Sequence, residues 1–137
     1  MTMRAILLCV CALLMTAASA GAQERCTDTP ENRTCVSEFG PVRTRTVAER
    51  PGGDITEAEV SVPVKYAESP GFARGAGGVM LQLVPFSSVL ERTDLFARLM
   101  KARRQSLVPW VRFGRYDWRA VEGDGVVRVE ATRMERP

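Results

Sequence analysis

Residues 58–66 read AEVSVPVKY and alternate apolar with polar side chains along the whole segment. Strict alternation predicts a β-strand with one buried face, because successive side chains of a strand point to opposite sides of the sheet. Pro63 lacks the N–H that a sheet ladder needs, which favours an edge strand or a solvent-facing position. The preceding residues 42–49 predict a second strand, and the turn sequence RPGGD at residues 50–54 joins the two as a hairpin.

The C-terminal part of the chain predicts a second hairpin. Residues 126–133 alternate, with Val127, Val129 and Ala131 on one face, and they follow the turn sequence EGDG. The partner strand is expected within residues 108–120, a segment rich in aromatic side chains and arginine.

The centre of the chain predicts one helix. Ser88 and Glu91 match the S-x-x-E capping box, so a helix is expected from about residue 89 to residue 104. Residues 68–78 predict a glycine-containing loop, and the nearly all-apolar residues 79–86 predict a buried strand. The element order β-β-β-α-β-β therefore predicts an α+β fold, in which one helix packs on a mostly antiparallel sheet of about five strands, namely two hairpins plus one strand.

The first 22 residues have the layout of a cleaved secretory signal peptide. Arg4 precedes an apolar run, and small residues follow that end in two overlapping A-x-A sites, which predict cleavage after Ala20 or Ala22. The apolar run is shorter than the roughly 20 residues that span a membrane, so retention as an anchor is the alternative and no stable span is expected after cleavage. The predicted compartment is the periplasm, with secretion second. The predicted organisation is a signal peptide (1–22), a disulfide-stapled N-terminal loop (23–40) and one small α+β domain (41–137).

Cleavage would leave two of the four cysteines, Cys26 and Cys35. In an oxidising compartment two nearby cysteines most simply pair with each other, so a disulfide is predicted between them. The C-x-x-C spacing typical of redox-active pairs is absent, and a zinc site would need more ligands than these two.

The chain contains no histidine, the commonest general base and the commonest metal ligand. Serine–histidine and cysteine–histidine sites are therefore excluded. The 16 acidic residues show no spacing that singles out a catalytic pair, and a small carboxylate-based hydrolase stays only as the third hypothesis. The sequence predicts no enzyme activity, no cofactor and no metal.

Residues 98–119 are predicted to carry a binding surface. They hold seven basic residues and one acid, whereas the rest of the mature chain has 11 basic and 15 acidic residues, and both tryptophans lie here. The guanidinium fork binds carboxylates and phosphates, while aromatic rings bury area at little entropic cost. The candidate partner-binding residues are Arg103, Arg104, Trp110, Arg112, Arg115, Tyr116, Trp118 and Arg119.

Alternation within residues 108–120 does not decide which face is buried. On one uninterrupted strand, the even-numbered side chains from Trp110 to Trp118 share a face, and both faces mix arginine with aromatic residues. In the alternative interpretation, the aromatics belong to the core and the arginines form a solvated face, some of them paired with Glu122 or Glu130.

The leading hypothesis is a non-catalytic exported binding protein, of inhibitor or immunity type, that engages an acidic protein or an anionic envelope partner. The alternative is an accessory or assembly subunit of a cell-envelope or secretion complex, which would add the strand at residues 58–66 to a neighbouring sheet. Nucleic acid is a poor candidate partner, because the predicted address lies outside the cytosol and the net charge is only +3. The sequence indicates no particular oligomeric state.

Overall fold

Seven antiparallel strands form one sheet in the computed structural model of the protein, which describes residues 23–50 and 52–134. Along the sheet the strand order is β1-β2-β3-β4-β7-β6-β5. Residues 1–22, where the signal peptide is predicted, lie outside the described residues. The strands are β1 (Gln23–Asp28), β2 (Asn32–Phe39), β3 (Val42–Glu49), β4 (Ile55–Pro63), β5 (Val111–Phe113), β6 (Tyr116–Gly123) and β7 (Val126–Arg133).

Two helices, α1 (Pro70–Leu83) and α2 (Val89–Ala102), pack on one face of this sheet. A short 3-10 helix, Val64–Tyr66, leads from β4 towards α1. Alternate residues of the central strands, such as Val60 of β4 and Val129 of β7, are buried beneath the helices. The α+β class and the antiparallel sheet are confirmed. The predicted number of elements is wrong, because the described residues form seven strands and two helices rather than five strands and one helix.

The segment predicted as a loop and a strand at residues 68–86 is helix α1. The Ser69 hydroxyl accepts a hydrogen bond from the Phe72 N–H at 3.3 Å, and Pro70 occupies the first helical position, as at many helix starts. The buried residues recur at helical rather than strand spacing. They are Phe72, Ala76, Val79, Met80 and Leu83.

The N-terminal segment at residues 23–40 is a β-hairpin rather than the predicted loop. Cys26 of β1 stands directly opposite Cys35 of β2, and the two form the predicted disulfide with their Cα atoms 4.1 Å apart. All six residues of β1 are exposed, so this strand buries little apolar area that could hold it in place. Burial alone would hold this edge strand only weakly, and the disulfide therefore ties it covalently to the sheet.

For the strand at residues 58–66, Pro63 predicted either an edge strand or a solvent-facing position. The strand is central and ends at Pro63, and Pro63 itself is exposed, so the second alternative describes it. Strand β4 pairs with β3 on one side and β7 on the other. Pro63 is the last residue of β4, and the ladder ends there as the chain enters the 3-10 helix, so its missing N–H interrupts no continuing strand. The edges among the described residues are β1 and β5.

Three further local predictions are confirmed. The β3–β4 and β6–β7 hairpins form, and helix α2 begins at the predicted capping box, in which Ser88 and Glu91 exchange both hydrogen bonds. No helix within residues 23–50 and 52–134 combines the length and the hydropathy needed to cross a bilayer.

Candidate functional site

A tight turn divides the Arg/aromatic segment at residues 108–120 into two strands. Gly114, with a φ of 65°, lies between β5 and β6, and the register pairs Val111 with Trp118 and Arg112 with Asp117. The turn changes which residues share a face. Phe113 and Tyr116 both point towards the helices, although their numbers differ in parity.

Tyr116 and Trp118 lie in the core, which corrects their assignment to a partner-binding surface. Trp118 is 1% exposed, and its indole N–H donates to the Phe113 carbonyl at 3.1 Å. The Tyr116 hydroxyl donates to the Ile55 carbonyl at 2.7 Å, and burial raises the pKa of this phenol above its ordinary value of 10.0. Both polar atoms are satisfied inside the chain, as buried aromatic side chains of this kind require.

Three of the predicted residues come together on the sheet face that the helices leave uncovered: Trp110, Arg112 and Arg119, here named the Trp110 patch. The Arg119 guanidinium lies 4.3 Å from the centre of the Trp110 ring, and its Nε donates to Glu130 Oε2 at 2.9 Å. Trp110 is 46% exposed. Arg112 is 72% exposed and contacts Asp117 at 3.8 Å, a distance at which a surface ion pair contributes little.

The remaining predicted arginines lie elsewhere and bind acids of the same chain. Arg103 and Arg104, at the end of α2, both contact Glu122, with distances of 3.3 Å and 2.9 Å. Arg115 sits in the β5–β6 turn and faces Asp54 at 3.6 Å. Three of the five predicted arginines, Arg103, Arg104 and Arg119, therefore pair with Glu122 or Glu130, as the alternative interpretation expects.

A row of charges crosses the uncovered face beside the Trp110 patch. Each member of the row stands opposite the next in the strand register: Arg45 on β3, Glu59 on β4, Glu130 on β7 and Arg119 on β6. Arg45 Nη2 lies 3.7 Å from Glu59 Oε2, so each of the two neighbouring carboxylates has an arginine on its outer side. The row offers a partner both signs of charge in a fixed order.

The carboxyl groups with shifted pKa values among the described residues are all shifted downwards. Hydrogen bonds from Arg104 and Arg103 lower the pKa of Glu122, the Arg133 guanidinium lowers that of Glu49, and the Ser88 backbone N–H lowers that of Glu91. These shifts keep carboxylates ionised, as ion pairs and helix caps do, whereas a general acid needs a raised pKa.

Glu122→Gln is expected to remove part of the acid sensitivity of the fold. Because the pKa of Glu122 is lowered from 4.5 in the folded state, its ion pairs stabilise the protein above that value, and the contribution is lost as the pH falls through the folded-state pKa. The variant should unfold more easily than the parent at neutral pH, and the difference should shrink as the pH falls below 4.5 and vanish once Glu122 is protonated in the folded parent. Urea unfolding at several pH values measures this.

Glu38→Gln is the control for this experiment, because Glu38 makes no ion pair within the described residues. Its stability should follow that of the parent at every pH. A Glu122→Gln difference that stays constant from neutral to acidic pH would contradict the assignment.

One group of potential metal-ligating side chains occurs among the described residues. Its ligand atoms, from Glu24, Cys26 and Cys35, lie within 4.8 Å of one another. Both sulfur atoms are joined in the disulfide, so neither is the thiolate that binds a metal. The cluster is structural.

A second surface, which the sequence interpretation missed, lies on the outer side of the helices. An open cavity of about 320 Å³ runs between α1 and α2, and we name it the interhelix groove. The sequence feature that could have predicted this surface is the helical spacing of apolar residues in α1, but the glycines of that segment indicated a loop instead. The groove is lined by Ala73, Gly77, Gly78, Leu81, Val89, Arg92, Thr93 and Phe96.

No protein-family model matches this chain, and neither a curated protein sequence nor a solved structure matches it.

Proposed function

We propose that the protein is a non-catalytic exported binding protein, of inhibitor or immunity type, that engages an acidic protein or an anionic envelope partner through the Trp110 patch. The observation that carries the proposal is the half-exposed Trp110 stacked on Arg119, on a sheet face that the helices do not cover. Tryptophan and arginine are the residues most enriched at energetic centres of protein interfaces.

The geometry of the patch supports recognition of an anion. Trp110 and Glu130 hold the Arg119 guanidinium in place from two directions, so little side-chain entropy would be lost on binding. Within residues 23–50 and 52–134, the exposed Arg112 beside it has the Asp117 contact at 3.8 Å as its one ion pair, which it can exchange for a partner carboxylate or phosphate. The patch thus combines one preorganised and one adaptable cation with an aromatic ring.

The disulfide supports the exported part of the proposal. Bonds of this kind persist in oxidising compartments and are rare in a reducing cytosol. The Cys26–Cys35 bond is therefore consistent with the export that the N-terminal residues predict.

The test is capture of partners from an envelope extract by the immobilised protein and by two double variants. Trp110→Ala with Arg112→Glu alters the patch. Leu107→Ala with Arg98→Glu makes matched changes at exposed positions outside it. We expect one stoichiometric acidic partner, retained by the parent and the control, and weakened at least about tenfold by the patch variant. Equal capture by a folded patch variant would refute the proposal.

The second candidate is an accessory or assembly subunit of a cell-envelope or secretion complex. The strand on which this idea first rested is central, but β1 presents an exposed edge, six residues long, that can add a strand from a neighbour. In the same capture experiment, a set of membrane-complex components held equally by parent and patch variant would favour this candidate.

A further inference from the structure

The edge strand β1 is held in the sheet by backbone pairing and not by burial. Its six residues, QERCTD, are all exposed, and among the described residues they pair with β2 on one side only. Fixing the backbone of one residue costs about as much free energy as one net hydrogen bond returns, so pairing without burial leaves a strand marginally stable in place. The attachment of β1 therefore depends on a further link.

The opposite edge strand, β5, is attached in a different way. It is only three residues long, but Val111 and Phe113 pack against the hydrophobic core. Phe113 also meets Trp118 edge-on, with ring centres 6.4 Å apart. Burial thus secures the edge strand β5, whereas the Cys26–Cys35 bond takes that role at β1.

The disulfide that holds β1 is accessible to a reductant. Cys26 is exposed and Cys35 is half-buried, and the helices make their main sheet contacts on β3, β4 and β6, away from this pair. Exposed disulfides are the ones that exchange readily with external thiols. A reductant can therefore approach Cys26 from solvent while the fold stays closed.

The turn between β1 and β2 is anchored independently of the disulfide. The Arg50 N–H, directly after β3, donates to the Glu31 carbonyl at 3.0 Å, and the Arg50 guanidinium donates to the Thr29 carbonyl at 3.2 Å. Within the turn, the Thr29 N–H donates to the Asn32 carbonyl at 2.8 Å. These bonds fix the turn against the end of β3, so it is the point about which β1 can move when the disulfide is open.

We propose that β1 is a redox-controlled strand, which leaves the sheet when an external dithiol reduces the Cys26–Cys35 bond and returns when a disulfide oxidant re-forms it. A thiolate of the dithiol attacks the Cys26 sulfur, the bond to Cys35 breaks, and the departing Cys35 thiolate takes up a proton. The second thiol of the reductant loses its proton and displaces Cys26, which is protonated in turn. The reductant thereby becomes a disulfide, and the protein holds two thiols.

Release of β1 uncovers the edge of β2. Strand β2 pairs with β3 along all eight of its residues, so it remains in the sheet, and the backbone groups that faced β1 become free. An edge of this kind accepts a strand from another chain. The β1 edge lies at the opposite end of the strand order from β5 and the Trp110 patch, so the redox control is independent of the proposed function.

The first test is amide hydrogen exchange of the purified protein with and without dithiothreitol. We expect the paired amides of β1 to exchange at least about tenfold faster after reduction, while those of β4 and β7 stay within about twofold of their oxidised rates. Trypsin should cut after Arg25 in the reduced form, and the bond after Arg45 on β3 should resist in both forms. Unchanged protection of β1 after complete reduction would overturn the proposal, and so would loss of protection throughout β4 and β7, because the bond would then hold the whole fold.

Two double variants separate the disulfide from other effects of the reductant. Cys26→Ser with Cys35→Ser should show the fast exchange of β1 without any reductant and should not respond to dithiothreitol. Thr27→Ser with Thr34→Ser is the matched control, since these two residues stand opposite each other next to the disulfide, and it should respond to dithiothreitol as the parent does. Addition of oxidised glutathione should restore the slow exchange of the parent. A serine variant whose β1 is as protected as that of the oxidised parent would contradict the proposal.

Discussion

Trp118→Ala is expected to lower the free energy of unfolding by about 3–5 kcal/mol. Trp118 is 1% exposed and packs edge-on against Phe113 and Tyr116, with ring centres 6.4 Å and 6.3 Å away. Its removal leaves a cavity between the sheet and the helices and leaves the Phe113 carbonyl without its indole donor. Against a total of about 5–15 kcal/mol for a typical domain, the variant should be close to unfolding.

Urea unfolding followed by circular dichroism measures this loss, and two variants serve as controls. Trp118→Phe retains much of the apolar contact and loses the hydrogen bond, so it should cost only about 1–3 kcal/mol. Trp110→Ala removes the other, half-exposed tryptophan and should cost less than about 1 kcal/mol. Equal costs for the two alanine variants would mean that the turn at Gly114 does not separate the faces as described.

Gly114→Ala is expected to lower the free energy of unfolding by about 2–5 kcal/mol, through two separate effects. The φ of 65° at this position costs an L-residue about 1–2 kcal/mol. The added Cβ would also stand 2.6 Å from Val84 Cγ2, and crowding of this kind in a packed site costs about 1–3 kcal/mol. Thermal and urea unfolding at a fixed protein concentration measure the sum.

A double-mutant cycle with Val84→Ala separates the two effects. Without the Val84 methyl groups the contact is relieved, so Gly114→Ala should then cost only the backbone share, about 1–2 kcal/mol. The same cost in both backgrounds would show that the contact with Val84 does not matter. The position also bears on the proposed binding surface, because the turn at Gly114 directs Arg112 to the uncovered face and Phe113 to the core.

Local signals predicted the elements whose sequence carries its own pattern. The alternation in residues 58–66 and 126–133 predicted β4 and β7, since a strand with one buried face must alternate. The capping box at Ser88 and Glu91 predicted the start of α2 at the correct residue, because it satisfies N–H groups that every helix start leaves unpaired.

Other elements were missed where the local pattern was weak or misleading. Four glycines in α1 indicated a loop, although Ser69 and Pro70 begin a helix and its buried residues have helical spacing. The polar sequence of β1 has no buried face, and only its pairing with β2 makes it a strand. The face of Tyr116 could not be assigned from an uninterrupted strand, because the turn at Gly114 shifts the alternation.

By itself, the sequence determined the α+β class and the disulfide partners, because hydrophobic periodicity and the number and spacing of cysteines can be read locally along the chain. The tertiary structure alone decided the strand order, the uncovered sheet face and the grouping of Trp110 with Arg119. These features depend on which distant segments pair and pack, and that choice follows from burying the most apolar area of the whole chain at once.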